Sequence, residues 1–165
     1  MAMVEAGILD AHDRVELVDG VLVEMSPIGP RHGDAVEWLN RHFVIASKDA
    51  FRVRVQDTFL TPGGGFLEPD IIVFAPIPRG RQPDAALLVV EVAHTSHAWD
   101  ASKAATYAAA GVSEYWIVDV KDDALLVHRS PREGAYADVE RFTAGDVVTP
   151  LLEAPPVDVA ALLAY

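Results

Sequence analysis

Asp70 and Glu91 are the acids whose settings call for a partner. Glu68-Pro69-Asp70-Ile71-Ile72-Val73 puts Asp70 at the entrance of an apolar run, and 21 residues later Leu87-Leu88-Val89-Val90-Glu91-Val92-Ala93 sets Glu91 inside another. An ionised carboxylate taken out of water costs several kcal/mol unless it is paired, hydrogen-bonded or bound to a metal. Two carboxylates on adjacent strands can share one divalent cation, and oxygen donors of this kind suit Mg²⁺ or Mn²⁺, which keep several waters and take few carboxylates from the protein. Such an ion neutralises Glu91, activates water and polarises a phosphoryl oxygen. With a metal as its only partner, Glu91→Gln would fold at least as well as the native chain in chelator, whereas an Arg or Lys partner would make the same change destabilising.

Lys103 lies 12 residues beyond Glu91, and its stem can carry an ammonium back toward such an ion, where it would orient water and stabilise a pentavalent phosphate. Tyr107 comes at i+4, on the same helix face. Glu16 can supply a further carboxylate. Each residue also has a plainer reading. Asp70 after Pro69 can simply close a turn; Lys103 taken alone reads as a solvated helix residue; Glu16 can face water on an alternating strand. His94 and His97, at i and i+3, and His32 are candidate ligands or general bases, but no third ligand stands at diagnostic spacing. Tyr115, Trp116 and Trp38 read as core or dimer contacts rather than base-stacking platforms. Thr61-Pro62-Gly63-Gly64-Gly65-Phe66 lacks the Lys-Ser/Thr of a phosphate-binding loop and reads as a hairpin tip.

The elements that must hold these residues can be read from pattern. Residues 14–18 and 21–25 alternate around Asp19-Gly20, a pair suited to a type I′ hairpin turn. Val36, Leu39 and Phe43 define an amphipathic helix over about 31–48. Strand-like segments come next at 51–60, 69–75 and 86–93, and an Ala-rich helix carrying Lys103 stops at Gly111. Residues 114–120 and 124–128 form a second hairpin, with short strands near 135–142 and 146–148 and an apolar segment at 157–163. This order predicts an α/β fold, a mixed central sheet flanked by helices with extra N- and C-terminal hairpins, in a single domain over residues 1–165.

Composition narrows the function classes. With no cysteine, disulfides and thiolate zinc sites are excluded. The start of the chain has no basic region leading into a long apolar run, and no run approaches about 18 apolar residues, so no membrane association and a cytoplasmic location are expected. A formal net charge of −12, from 25 acidic and 13 basic residues, opposes nucleic-acid binding through a broad basic surface. Small basic patches do occur, at Arg52 and Arg54 on one strand and at Arg79 and Arg81 in a loop.

Arg14-Val15-Glu16-Leu17-Val18-Asp19-Gly20, the Glu68 to Phe74 run, Val89 to Ala93, Lys103 to Tyr107 and Ala109-Ala110-Gly111-Val112-Ser113-Glu114-Tyr115-Trp116-Ile117-Val118-Asp119 together resemble the Uma-two family, related to restriction endonucleases. The resemblance runs in order from about Asp13 to His128. It implies the PD-(D/E)XK nuclease fold, with Pro69-Asp70 as the PD element, Glu91 as the second acid and Glu16 as an N-terminal acid. The lysine of the standard motif would fall at Ala93; the Uma-type pattern moves it to the next helix, at Lys103. The resemblance implies a Mg²⁺- or Mn²⁺-dependent endonuclease acting on nucleic acid, with DNA as the expected substrate. In that expectation Asp70, Glu91, Lys103 and Glu16 are catalytic, Tyr107, Arg52 and Arg54 touch substrate, and the assembly is a homodimer. The competing expectation is a non-catalytic, homodimeric interaction module that keeps the fold and retains the acids in a structural network. The acidic balance and an apolar content of 51% favour protein partners in that case.

Overall fold

The computed structural model describes residues 6–8, 10, 15–18, 21–24, 29–93 and 97–164. In chain order the elements are β1 (Val15–Val18), β2 (Val21–Glu24), α1 (Pro30–Ser47), β3 (Arg52–Val55), β4 (Phe59–Leu60), β5 (Phe66–Leu67), β6 (Ile71–Phe74), β7 (Leu88–Ala93), α2 (His97–Ala109), β8 (Glu114–Asp119), β9 (Ala124–Arg132), β10 (Ala135–Thr143), β11 (Val147–Val148), β12 (Val157–Asp158) and α3 (Val159–Leu163).

The apolar run Ile71–Phe74 and the run Leu88–Ala93, apolar but for Glu91, suit strands covered on both faces, and both are buried along their whole length. They lie in a six-stranded sheet of order β10-β9-β8-β7-β6-β3. Every neighbouring pair is antiparallel except β7 and β8. That parallel pair needs a crossover, which α2 provides.

Period-two alternation then sorts the side chains. Ile71, Val73, Val90, Val92, Trp116 and Val118 join Val36, Leu39 and Phe43 of α1 in one core cluster. Ile72, Phe74, Val89, Ala93, Tyr115 and Ile117 face the other way and pack with Tyr107 of α2. This is the expected mixed sheet flanked by helices. The hairpins extend it: β1 and β2 join β5 and β4 in a separate four-stranded sheet of order β2-β1-β5-β4, and β11 pairs with β12. The Asp19-Gly20 turn lies outside the described residues.

Three boundaries differ from expectation. The segment 51–60 is two strands, because Gln56 takes φ 47° and turns the chain out of the large sheet. The second hairpin arm runs on through Pro131 to Arg132, paired with β10 across the Glu133-Gly134 turn. The segment 157–163 is a two-residue strand leading into α3, which Asp158 caps by accepting from Ala161 N at 3.1 Å. Among the described residues no helix is long and apolar enough to cross a membrane.

Candidate metal centre

The site forms where three neighbouring strands carry polar residues into register. Ile71 pairs with Val90, so one step further along the ladder Asp70 stands opposite Glu91. Val55 pairs with Ile71, and the next step brings Gln56 beside Asp70, where Gln56 N donates to Asp70 O at 3.1 Å. Gln56, Asp70 and Glu91 thus meet at the end of β6, with the Asp70 carboxylate turned to His32 of α1 and the Glu91 carboxylate turned to Lys103 and Tyr107 of α2.

Glu91 is only 6% exposed. Its Oε1 accepts from Lys103 Nζ at 3.0 Å and from Tyr107 OH at 2.8 Å. The i, i+4 spacing on α2 aims both donors at one oxygen. Lys103 is 5% exposed, which corrects its plain reading as a solvated helix residue: the face of α2 that bears it packs on the sheet, and the ammonium is stabilised there by the Glu91 charge. The partner that a buried Glu91 requires is thus a lysine. Tyr107 is fully buried, its ring 4.9 Å from that of Tyr115 and 6.0 Å from that of Phe59.

Asp70, also 6% exposed, is held differently. Its Oδ2 accepts from Val92 N at 2.8 Å and from His32 Nε2 at 3.0 Å, while Oδ1 has a long 3.4 Å contact with the amide of Gln56. Neither His32 nor Gln56 is foreseen as a partner of Asp70. For His32 a signal existed: it precedes Val36 by four residues, which puts a histidine on the apolar stripe of α1. Gln56 carried none, since its place depends on the turn it makes.

The other candidates lie elsewhere. Glu16 is on β1 opposite Val23, and its side chain is outside the described residues. His94 and the side chain of His97 are outside them as well. Arg52 and Arg54 pair with Phe74 and Ile72 across β6, placing both on the Glu91 face at the sheet edge. Each already has an anion: Arg52 reaches Asp49 at 3.2 Å, and Arg54 reaches Asp57 at 2.9 Å, with its guanidinium 5.2 Å above the Phe74 ring. Trp116 and Tyr115 are core residues, and Trp38 stacks on His42. Residues 62–64 form an exposed hairpin tip between β4 and β5. Among the described residues no group of three or more His, Asp or Glu side chains is gathered as a metal cage. Asp70 at the entrance of β6 and Glu91 on the neighbouring β7 are two buried carboxylates, hard oxygen donors of the number Mg²⁺ usually takes from a protein.

The sequence matches the family Uma2, described as "Putative restriction endonuclease", over residues 5–160. Among solved structures, a "putative nuclease belonging to DUF820" from Anabaena variabilis ATCC 29413 matches with a TM-score of 0.81 at 14% identity, covering 97% of this chain and 95% of that one. At that identity the likeness is one of fold. No match is found among curated proteins.

Proposed function

The chain belongs to the Uma2 family, and on that footing we propose that it is a metal-dependent endonuclease that hydrolyses phosphodiester bonds of nucleic acid, with DNA as its substrate. The observation that carries this reading is the convergence of Lys103 and Tyr107 on Glu91 beside Asp70. A structural ion pair needs only one acid and one base, whereas here a second buried acid, Asp70, lies on the strand that pairs with the one carrying Glu91.

Asp70 and Glu91 would hold Mg²⁺ or Mn²⁺, and the ion when bound supplies a polarised phosphoryl oxygen and an acidified water. The rest is the work of the chain. The Lys103 ammonium, held by Glu91, would stabilise negative charge growing on the scissile phosphate, and such preorganised charge acts most strongly in a water-poor site. The Tyr107 hydroxyl keeps Glu91 in one orientation. Arg52 and Arg54, on the same face, would exchange their aspartate partners for backbone phosphates, and Glu16 would add an acid from the N-terminal hairpin. The reading includes a single domain in the cytoplasm and a homodimer, since two copies closing on a duplex would bring together basic edges that one acidic chain holds sparsely.

Calorimetric titration with Mn²⁺, alongside plasmid cleavage by repurified protein, tests the proposal. Binding by the native chain that disappears in Asp70→Ala, together with cleavage that needs the metal, supports it. One feature favours the non-catalytic interaction module: Glu91 has its lysine and tyrosine partners without any metal. A native chain that binds no Mn²⁺ and cleaves nothing would establish that module in its place.

A further inference from the structure

We infer that His32 is a positioning residue for Asp70, holding one carboxylate oxygen so that the other faces the metal; the assignment rests on the metal-centre reading of Asp70 and Glu91. His32 is 9% exposed, and its Nε2 lies 3.0 Å from Asp70 Oδ2. An ionised carboxylate only accepts, so the proton of this bond sits on Nε2. The other ring nitrogen, Nδ1, is buried with no hydrogen-bond partner among the described residues. An unpaired buried nitrogen is unfavourable. A side chain needed only to fill this point of the α1 stripe would be apolar and would avoid that cost, so the contact with Asp70 is what the imidazole contributes.

The geometry around Asp70 supports the role. Val92 N donates to the same Oδ2 at 2.8 Å, so two donors from two elements pin one oxygen and fix the carboxylate plane. Among the described residues Oδ1 has just the 3.4 Å contact with the exposed Gln56 amide, which a cation displaces readily. His32 itself is delivered by a rigid element. It sits in the first turn of α1, whose Leu39 and Phe43 are fully buried, and the neighbouring Arg31 ties that turn to Val120 O and to Asp123. Glu91 is handled in the same manner, with its Oε1 receiving two donors from α2. Groups that orient a metal-binding side chain in this way are typically worth about 10–100-fold in metal affinity.

The test is calorimetric titration of Mn²⁺ into the native chain, His32→Leu and His32→Gln, with circular dichroism and thermal melting in chelator to verify the fold. Leucine fills the site without a donor and is expected to weaken Mn²⁺ binding by about 10–100-fold; glutamine, which can donate to Oδ2, is expected to recover most of that loss. Unchanged affinity in His32→Leu, or glutamine no better than leucine, overturns the assignment and leaves the metal centre standing. A native chain that binds no Mn²⁺ removes the metal centre and this assignment together. If the leucine variant does not fold, His32→Asn, polar but too short to bridge to Asp70, takes its place with the same expected loss.

Discussion

Glu91 shows how one buried charge sets the character of its neighbours. Paired with Lys103 at 3.0 Å, it forms an ion pair in which both side chains are under one-tenth exposed. Removing one member of such a pair strands the other, at a cost of about 3–5 kcal/mol. Glu91→Gln is therefore expected to lower the melting temperature in chelator, contrary to what a carboxylate awaiting only a metal would do. Lys103→Ala takes the ammonium away from Glu91 while the Tyr107 bond remains, and here added Mn²⁺ should restore the lost stability, because the ion replaces the missing positive charge and no ammonium competes for the acid. The same variant should keep Mn²⁺ binding yet lose about two to three orders of magnitude in cleavage, the loss typical of removing one preorganised electrostatic stabiliser. Titration calorimetry, thermal melts with and without Mn²⁺, and cleavage by matched preparations separate these effects. Cleavage unchanged in Lys103→Ala would remove the lysine from the chemistry.

At the scale of elements, α2 matters most, since it aims Lys103 and Tyr107 at one oxygen. Its end is set by Gly111, which takes φ 74° while its N–H donates to Ala108 O, and Val112 N then donates to Tyr107 O. This left-handed stop turns the chain directly into β8. A Cβ at Gly111 would meet no atom within 4 Å, so Gly111→Ala costs only the conformational penalty, about 1–2 kcal/mol. The expected outcome is a lower unfolding midpoint in urea with Mn²⁺ affinity unchanged. A collapse of metal affinity would mean that α2 slips when its stop is altered. A second element-scale tie lies at the start of β8, where buried Glu114 accepts from Arg129 at 2.6 and 2.8 Å and from Leu151 N at 2.8 Å. It fastens the tail beyond β10 to the central sheet.

At the scale of the whole molecule, a buried histidine and a half-buried tyrosine are expected to bound the pH range of stability. Burial pushes His128 below its ordinary 6.5, with Tyr115 ahead of it and Tyr136 beside it in an aromatic row. Below pH 6.5 the unfolded chain takes up a proton that the folded chain resists, so stability falls as the pH drops toward the lowered value. Burial raises the Tyr136 phenol well above its usual 10, and its hydroxyl donates to Val112 O at 2.9 Å. Above pH 10 the unfolded chain releases a proton that the folded chain keeps, so stability falls again. Urea unfolding from pH 5 to 11 is expected to show a plateau between these limbs, with the acid limb shallower in His128→Phe and the alkaline limb shallower in Tyr136→Phe. Limbs unmoved by these changes would assign the pH dependence to other groups.

The residues alone were enough to identify the strands around Asp70 and Glu91, both main helices, the stop at Gly111 and the shared face of Lys103 and Tyr107, because these depend on short-range periodicity and on the conformational range of single residues. They were enough, too, to say that Glu91 needs a partner, since the cost of a buried charge holds in any fold. They could not say which partner, because 12 residues of chain leave the aim of a lysine open until α2 packs on the sheet. His32 is further still, 38 residues from Asp70, and Gln56 reaches it only through a backbone turn. Contacts of that kind depend on strand register and helix docking, which the hydrophobic packing of the whole chain decides, and it is at that level that two separately readable acids become one site.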